Sequence, residues 1–147
     1  MKGAVLTPVG RVVLTEEDGT LVRLSWSDEE ADGESPLLAE AAAQIAAYFD
    51  RRLTRFELPL ALGSGRAALF HKALLAIPFG ETRRYGELAR GLGIPPQAVG
   101  RACGQNPLPI LVPCHRVLGA TGLGGFSAPG GIETKIALLR HEGALLI

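Results

Sequence analysis

At 147 residues, 47% apolar and 20% charged, the chain is long enough for one domain or two small ones sharing an interface, and too apolar for a disordered segment. No apolar run approaches the roughly 20 residues that span a bilayer. The start, Met1-Lys2-Gly3-Ala4-Val5, lacks an export signal's apolar core, and two cysteines make no disulfide framework, so no membrane and a reducing cytoplasm are expected. The net charge of zero conceals an asymmetry. Residues 1–65 hold 6 basic and 11 acidic side chains, whereas residues 66–147 hold 9 and 4. Unless this is ordinary surface charge, a polyanion such as DNA is drawn to the C-terminal half.

In chain order, residues 5–15 read as strand, turn and strand. Residues 21–26 alternate apolar and polar and read as a third strand. Residues 28–36 form an acidic loop. Leu37, Leu38, Ala41, Ile45, Tyr48 and Phe49 recur at helical spacing within a helix over 37–52, and a final strand is expected near 56–60. The chain divides near 59–65. Beyond that point residues 67–76 predict a short amphipathic helix stopped by Pro78. Thr82 is a plausible N-cap for a helix over 83–91. Gly93-Ile94-Pro95 is a turn, and Pro96 opens a further helix to Gly104. Two short helices joined by a tight glycine-containing turn outline a helix-turn-helix, although helix pairs are also common in bundles.

The chemistry-bearing segment is Asn106-Pro107-Leu108-Pro109-Ile110-Leu111-Val112-Pro113-Cys114-His115-Arg116-Val117, which delivers a cysteine and a histidine together. A free thiol is mostly protonated at neutral pH, and a nearby base makes the reactive thiolate. Neighbours on a regular strand point to opposite faces, so a Cys114–His115 contact requires a turn or a bridging water. The helix over 133–141 is followed by Glu142, a candidate to orient His115. A buried inert cysteine beside an incidental histidine explains the same spacing. Cys103 reads as a small packing residue or, less simply, as a redox partner of Cys114. Cys103, Cys114, His115 and His141 lack the closely spaced ligand pair of a zinc site, so no metal is expected.

Several ordered motifs resemble the O6-alkylguanine-DNA alkyltransferases, also called methylated-DNA–protein-cysteine methyltransferases. They are Ile77-Pro78-Phe79-Gly80-Glu81-Thr82, Tyr85-Gly86-Glu87-Leu88-Ala89, Ala98-Val99-Gly100, the Pro113-Cys114-His115-Arg116 segment, Gly124 through Gly131, and Lys135 with Leu138, Leu139, Glu142 and Gly143. The resemblance is strong over 65–147; residues 1–62 match in strand-rich pattern and length. It implies an α+β fold: a small RNase-H-like α/β domain over 1–62, and a mainly helical, winged-helix-like domain with a helix-turn-helix over 63–147.

The resemblance also implies roles. Cys114 accepts an alkyl group permanently, His115 takes its proton through a water, and Glu142 orients His115. Asn106 braces the turn that exposes Cys114, and Tyr85 stands beside the flipped nucleotide, donating to the base or crowding the 3′ phosphate. Main-chain groups around Val117 and Ser127, with Gly125, line the guanine pocket. Gln97, Ala98, Gly100 and Arg101 lie on the DNA-binding helix, and Arg83, Arg84 and Arg116 are candidate phosphate contacts. Arg116 is equally a candidate for a structural ion pair. The implied partner is double-stranded DNA carrying O6-alkylguanine, with O4-alkylthymine left open as a substrate. No cofactor is implied, and a monomer is expected.

Two departures stand out. The family usually carries an arginine where this chain has Gln97, which lacks the charge and planar cation, so weaker binding or slower flipping is expected. Arg101, one turn later on the same face, is a candidate to compensate through phosphate. The preceding helix carries Arg66-Ala67 and Phe70-His71 in place of an aromatic-rich pattern, with a consequence expected in packing. Two other functions fit parts of the pattern: a non-catalytic binder that flags alkylated DNA, and a Cys-His-Glu hydrolase. The acceptor cysteine argues against the first, and the want of an evident oxyanion hole against the second.

Overall fold

The computed structural model describes residues 1–119, 122–124, 126 and 130–144. Contacts divide the chain into two units, Met1–Ala61 and Leu62–Ile147.

In the first unit β1 (Lys2–Thr7), β2 (Gly10–Glu17) and β3 (Thr20–Trp26) form an antiparallel sheet in the order β1-β2-β3. Val5 faces Val12 and Leu14 faces Leu24, which sets the register, with a shift between Thr15 and Glu16. The β2–β3 connection is Asp18-Gly19, both at positive φ (51° and 76°). Such a two-residue loop matches the strand twist, and Asp-Gly is among the pairs that adopt it most readily. The helix α1 (Pro36–Phe49) starts where Ser35 Oγ accepts from Leu38 N at 3.0 Å and Pro36 occupies the first turn, where no N–H is missed. Its buried face, Leu38, Ala41, Ile45 and Tyr48, covers the sheet. Leu38 lies 3.5 Å from the position a Cβ on Gly3 would take. The expected strand at 56–60 reduces to a single parallel bridge between Leu21 and Leu60. Pro59 lacks the N–H a ladder needs there, although its carbonyl still accepts from Leu21 N at 2.9 Å.

The second unit contains α2 (Gly65–Leu75), α3 (Tyr85–Leu92), α4 (Pro96–Gly104) and α5 (Ile132–His141). A two-residue parallel pair, β4 (Arg83–Arg84) with β5 (Val117–Leu118), ties the segment before α3 to the segment after Cys114. This pair displaces the expected N-cap: Thr82 does not open the helix. Arg83 and Arg84 are extended, and Glu87 reaches back to accept from Arg84 N at 3.1 Å. Gly93 ends α3 in the left-handed conformation at φ 69°, and Pro95 and Pro96 start α4. That punctuation produces the helix-turn-helix, in which Ala89 and Val99 are buried and one face of α4 is left to solvent. Phe70, Leu74, Ile77, Leu108, Ile110, Leu111, Val112, Val117, Leu138 and Leu139 form the buried apolar set beneath the site. The α+β class and the helix-turn-helix expected from the sequence are both present.

Candidate active site

The segment 106–113 is a compact, braced loop. Asn106 is buried; its Nδ2 donates to Val112 O at 2.9 Å and its Oδ1 accepts from Leu108 N at 3.0 Å. One side chain thus closes the loop from both sides, aided by Val112 N donating to Leu108 O at 2.8 Å. Inside it Ile110 sits at φ 73°, a conformation that is costly for a β-branched residue. Strain of about 1–3 kcal/mol of this kind persists where surrounding contacts over-determine the backbone, and the asparagine brace supplies them.

The loop delivers Cys114-His115-Arg116 as one 3-10 turn. The turn removes the strand alternation that would set Cys114 and His115 on opposite faces. Cys114, His115 and Arg116 are all buried. His115 Nε2 lies 2.8 Å from Glu142 Oε2. Arg116 grips the same carboxylate, Nε to Oε1 at 2.8 Å and Nη2 to Oε2 at 2.9 Å, while its Nη1 donates to Ile77 O at 2.7 Å. The Arg116 guanidinium also stands 5.9 Å from the centre of the Phe79 ring. The phosphate-contact expectation for Arg116 is therefore corrected. Its guanidinium is turned inward, and its structural ion-pair alternative is what the fold uses.

These contacts fix the protonation pattern. Burial alone would raise the Glu142 carboxyl, but the hydrogen bonds and charges of His115 and Arg116 outweigh it and hold the group well below the usual carboxylate range. An ionised carboxylate only accepts, so the His115 proton lies on Nε2 and Nδ1 carries a lone pair. Burial pulls the imidazolium form down, and Glu142 opposes that only in part, so His115 is neutral at neutral pH. Among the described residues, His115 Nδ1 is the one buried side-chain polar atom without a protein partner. The Cys114 thiol is pushed up by burial, with the Asn106 amide and the Lys135 charge pulling it back. A neutral thiol next to a neutral, oriented base is a pair set to ionise when a substrate arrives.

Lys135, buried on α5, donates from Nζ to Val117 O at 2.6 Å. The sequence marked this position without indicating that a buried cation lies near the thiol. Tyr85 opens α3, half-buried, and its hydroxyl is raised by burial and, less strongly, by Cys103 and Cys114 nearby. Burial and the neighbouring Cys114 push Cys103 up to about 12 against the pull of Lys135, so it is a protonated thiol at neutral pH. Val117 is buried in β5. Gln97 and Arg101 are exposed on α4. Ala98 and Gly100 are half-buried between them, and a Cβ on Gly100 would meet nothing within 4 Å. Arg84 is exposed, but its Nη1 donates to Gly119 O. Ser127 and Gly125 lie outside the described residues. No group of three or more metal-binding side chains occurs among the described residues, and none of their helices is long and apolar enough to cross a membrane.

A helix-turn-helix unit with a thiol and an oriented base on one buried turn defines a DNA-directed protein whose chemistry runs through cysteine. Known proteins resemble this chain in sequence and fold. Residues 68–144 match the model of the 6-O-methylguanine DNA methyltransferase DNA-binding domain, and residues 2–62 match the ribonuclease-like domain of the same proteins. The methylated-DNA–protein-cysteine methyltransferase of Mycobacterium leprae is 40% identical over 92% of this chain and 88% of its own length. The crystal structure of Mycobacterium tuberculosis O6-methylguanine methyltransferase superposes with a TM-score of 0.83 at 38% identity, covering 97% of this chain and 92% of that one. The crystal structure of Mycobacterium tuberculosis OGT in complex with DNA superposes with a TM-score of 0.82 at 39% identity, covering 96% and 91%. The chain belongs to the 6-O-methylguanine DNA methyltransferase family, with a ribonuclease-like domain preceding the DNA-binding domain.

Proposed function

We propose that this protein repairs DNA by direct reversal: it moves the alkyl group from O6 of a damaged guanine to Cys114 Sγ, once per molecule. The observation that carries this reading is the neutral His115, held through Nε2 by Glu142 and offering an unpartnered Nδ1 on the same turn as Cys114. A buried polar atom of this kind is satisfied by a bridging water, which conveys the thiol proton to Nδ1.

The guanine O6 lies inside the base stack, so the nucleotide leaves the stack to meet the buried sulfur. Sγ attacks the alkyl carbon in line; the S–C bond forms as the C–O6 bond breaks. The thiol proton passes to His115, and the departing guanine takes a proton from the Tyr85 hydroxyl, which is restored from His115 or solvent. The thioether has no easy leaving group, so the protein is consumed. The activity is that of a methylated-DNA–protein-cysteine methyltransferase acting on double-stranded DNA as a monomer. Exposed Gln97 fills the gap in the duplex by hydrogen bonding, and Arg101 holds phosphate.

The test is an intact-mass measurement after incubation with a duplex carrying O6-methylguanine. One methyl group on the protein, absent from Cys114→Ala, is expected. Unmodified protein bound tightly to the lesion would instead mark a non-catalytic lesion binder, a reading to which Gln97 lends weight.

A further inference from the structure

Downstream of Cys114, Gly124 lies against Tyr85. The loop leading to Gly124 is tied down at its start by the β4–β5 pair, in which Arg84 faces Leu118, and by the Arg84 guanidinium on Gly119 O. Gly119 then packs against the loop: a Cβ there would lie 3.3 Å from Gly122 O and 3.6 Å from Gly124 N. Gly124 itself has φ +74°, and a Cβ on it would lie 2.9 Å from the Tyr85 hydroxyl oxygen and 3.4 Å from Cζ. Real side chains do not approach that closely, so the hydroxyl occupies its place only because residue 124 has no side chain.

We propose that Gly124 is a positioning residue for the Tyr85 hydroxyl, with Arg84 holding the loop that carries Gly124 against it. This rests on the reading that Tyr85 donates to the flipped base. The backbone wall at Gly124 sets how deep the phenol sits. Any Cβ at 124 drives the ring away, because the phenol is the movable partner while the loop is anchored through Gly119. Restoring an ordinary contact of about 3.5 Å moves the hydroxyl by several tenths of an ångström, and a misplacement of about 1 Å of a catalytic group costs on the order of 100-fold in rate. Arg84 thus acts inward on the site as well as lying at the surface.

The experiment is single-turnover methyl transfer from an O6-methylguanine duplex at saturating protein, with duplex affinity measured separately. Gly124→Ala should lower the limiting rate by roughly 10- to 100-fold and leave affinity within about two-fold. In the Tyr85→Phe background, which removes the atom a Cβ would strike, the same substitution should cost less than about three-fold. Gly124→Asn, which tolerates the left-handed backbone but keeps a Cβ, should lose rate as Gly124→Ala does. Recovery of the rate in Gly124→Asn would assign the effect to backbone strain and overturn the proposal. Equal losses in the Tyr85 and Phe backgrounds would overturn it too while leaving the donor reading intact. A Tyr85→Phe variant that transfers at the full rate would remove the donor reading and the proposal together.

Discussion

Glu142 receives three charge-assisted hydrogen bonds of 2.8–2.9 Å from His115 and Arg116 while buried. Glu142→Gln keeps the volume but removes the charge that both partners face. One amide edge then presents N–H groups to Arg116 or to the His115 Nε2–H, and the Arg116 cation keeps Ile77 O, the Phe79 ring and one neutral amide oxygen but no counter-charge. Breaking a buried pair from one side costs about 3–5 kcal/mol. The same change releases the His115 tautomer, and a lost general base costs about 100- to 10,000-fold in rate. Arg116→Met strips the carboxylate of two bonds and carries a similar stability loss, yet it leaves the His115–Glu142 bond in place. The double variant removes both charges and should recover most of the stability without recovering the rate. Urea unfolding followed by circular dichroism, beside single-turnover transfer on all four proteins, separates the two effects. A Glu142→Gln protein within about 1 kcal/mol of the parent, or one that transfers at the parent rate, would refute the reasoning.

Acid should weaken this unit. Glu142 and His115 are both held below their ordinary values, so the unfolded chain binds more protons than the folded one, and stability grows with pH. The His115 share is complete above about 6.5 and the Glu142 share above about 4.3, and each is lost as pH falls through the folded value. Thermal melts from pH 8 to 3 should descend, with Glu142→Gln showing a shallower slope below about 4.3, where the Glu142 share is lost. Asn106→Ala leaves Leu108 N unsatisfied and Val112 O with Cys114 N alone, and should cost about 1–3 kcal/mol, with a matching fall in transfer, read by melting and by rate. Gln97→Arg should raise duplex affinity or the transfer rate; a variant equal to the parent in both would show that residue 97 does not limit flipping.

What the sequence revealed depended on range. Gly93, Pro95 and Pro96 act within a few residues, and they marked the ends of α3 and α4 well. The Asp18-Gly19 turn and the Ser35 cap are equally local. Thr82 looked like an N-cap because its short polar side chain is suited to one, but Arg83 and Arg84 pair with Val117 and Leu118, more than 30 residues away, and no local pattern encodes that. Arg116 could be read either way until Glu142, 26 residues on, was seen to take its guanidinium. Gly124 stands in the sequence only as the first residue of a glycine-bearing motif; its distance to the Tyr85 hydroxyl is what singles it out. Cys114 and His115 were conspicuous as a pair, yet their shared turn depends on the Asn106 brace, which closes through main-chain atoms that composition does not show.

The most direct measurement remains the mass of the protein after one exposure to excess O6-methylguanine duplex, followed by peptide mapping. The account predicts a single methyl group replacing the thiol hydrogen of Cys114, with Cys103 unmodified and one lesion repaired per protein molecule. A methyl group on Cys103, more than one lesion repaired per molecule, or protein that binds the lesion and stays unmodified would contradict it.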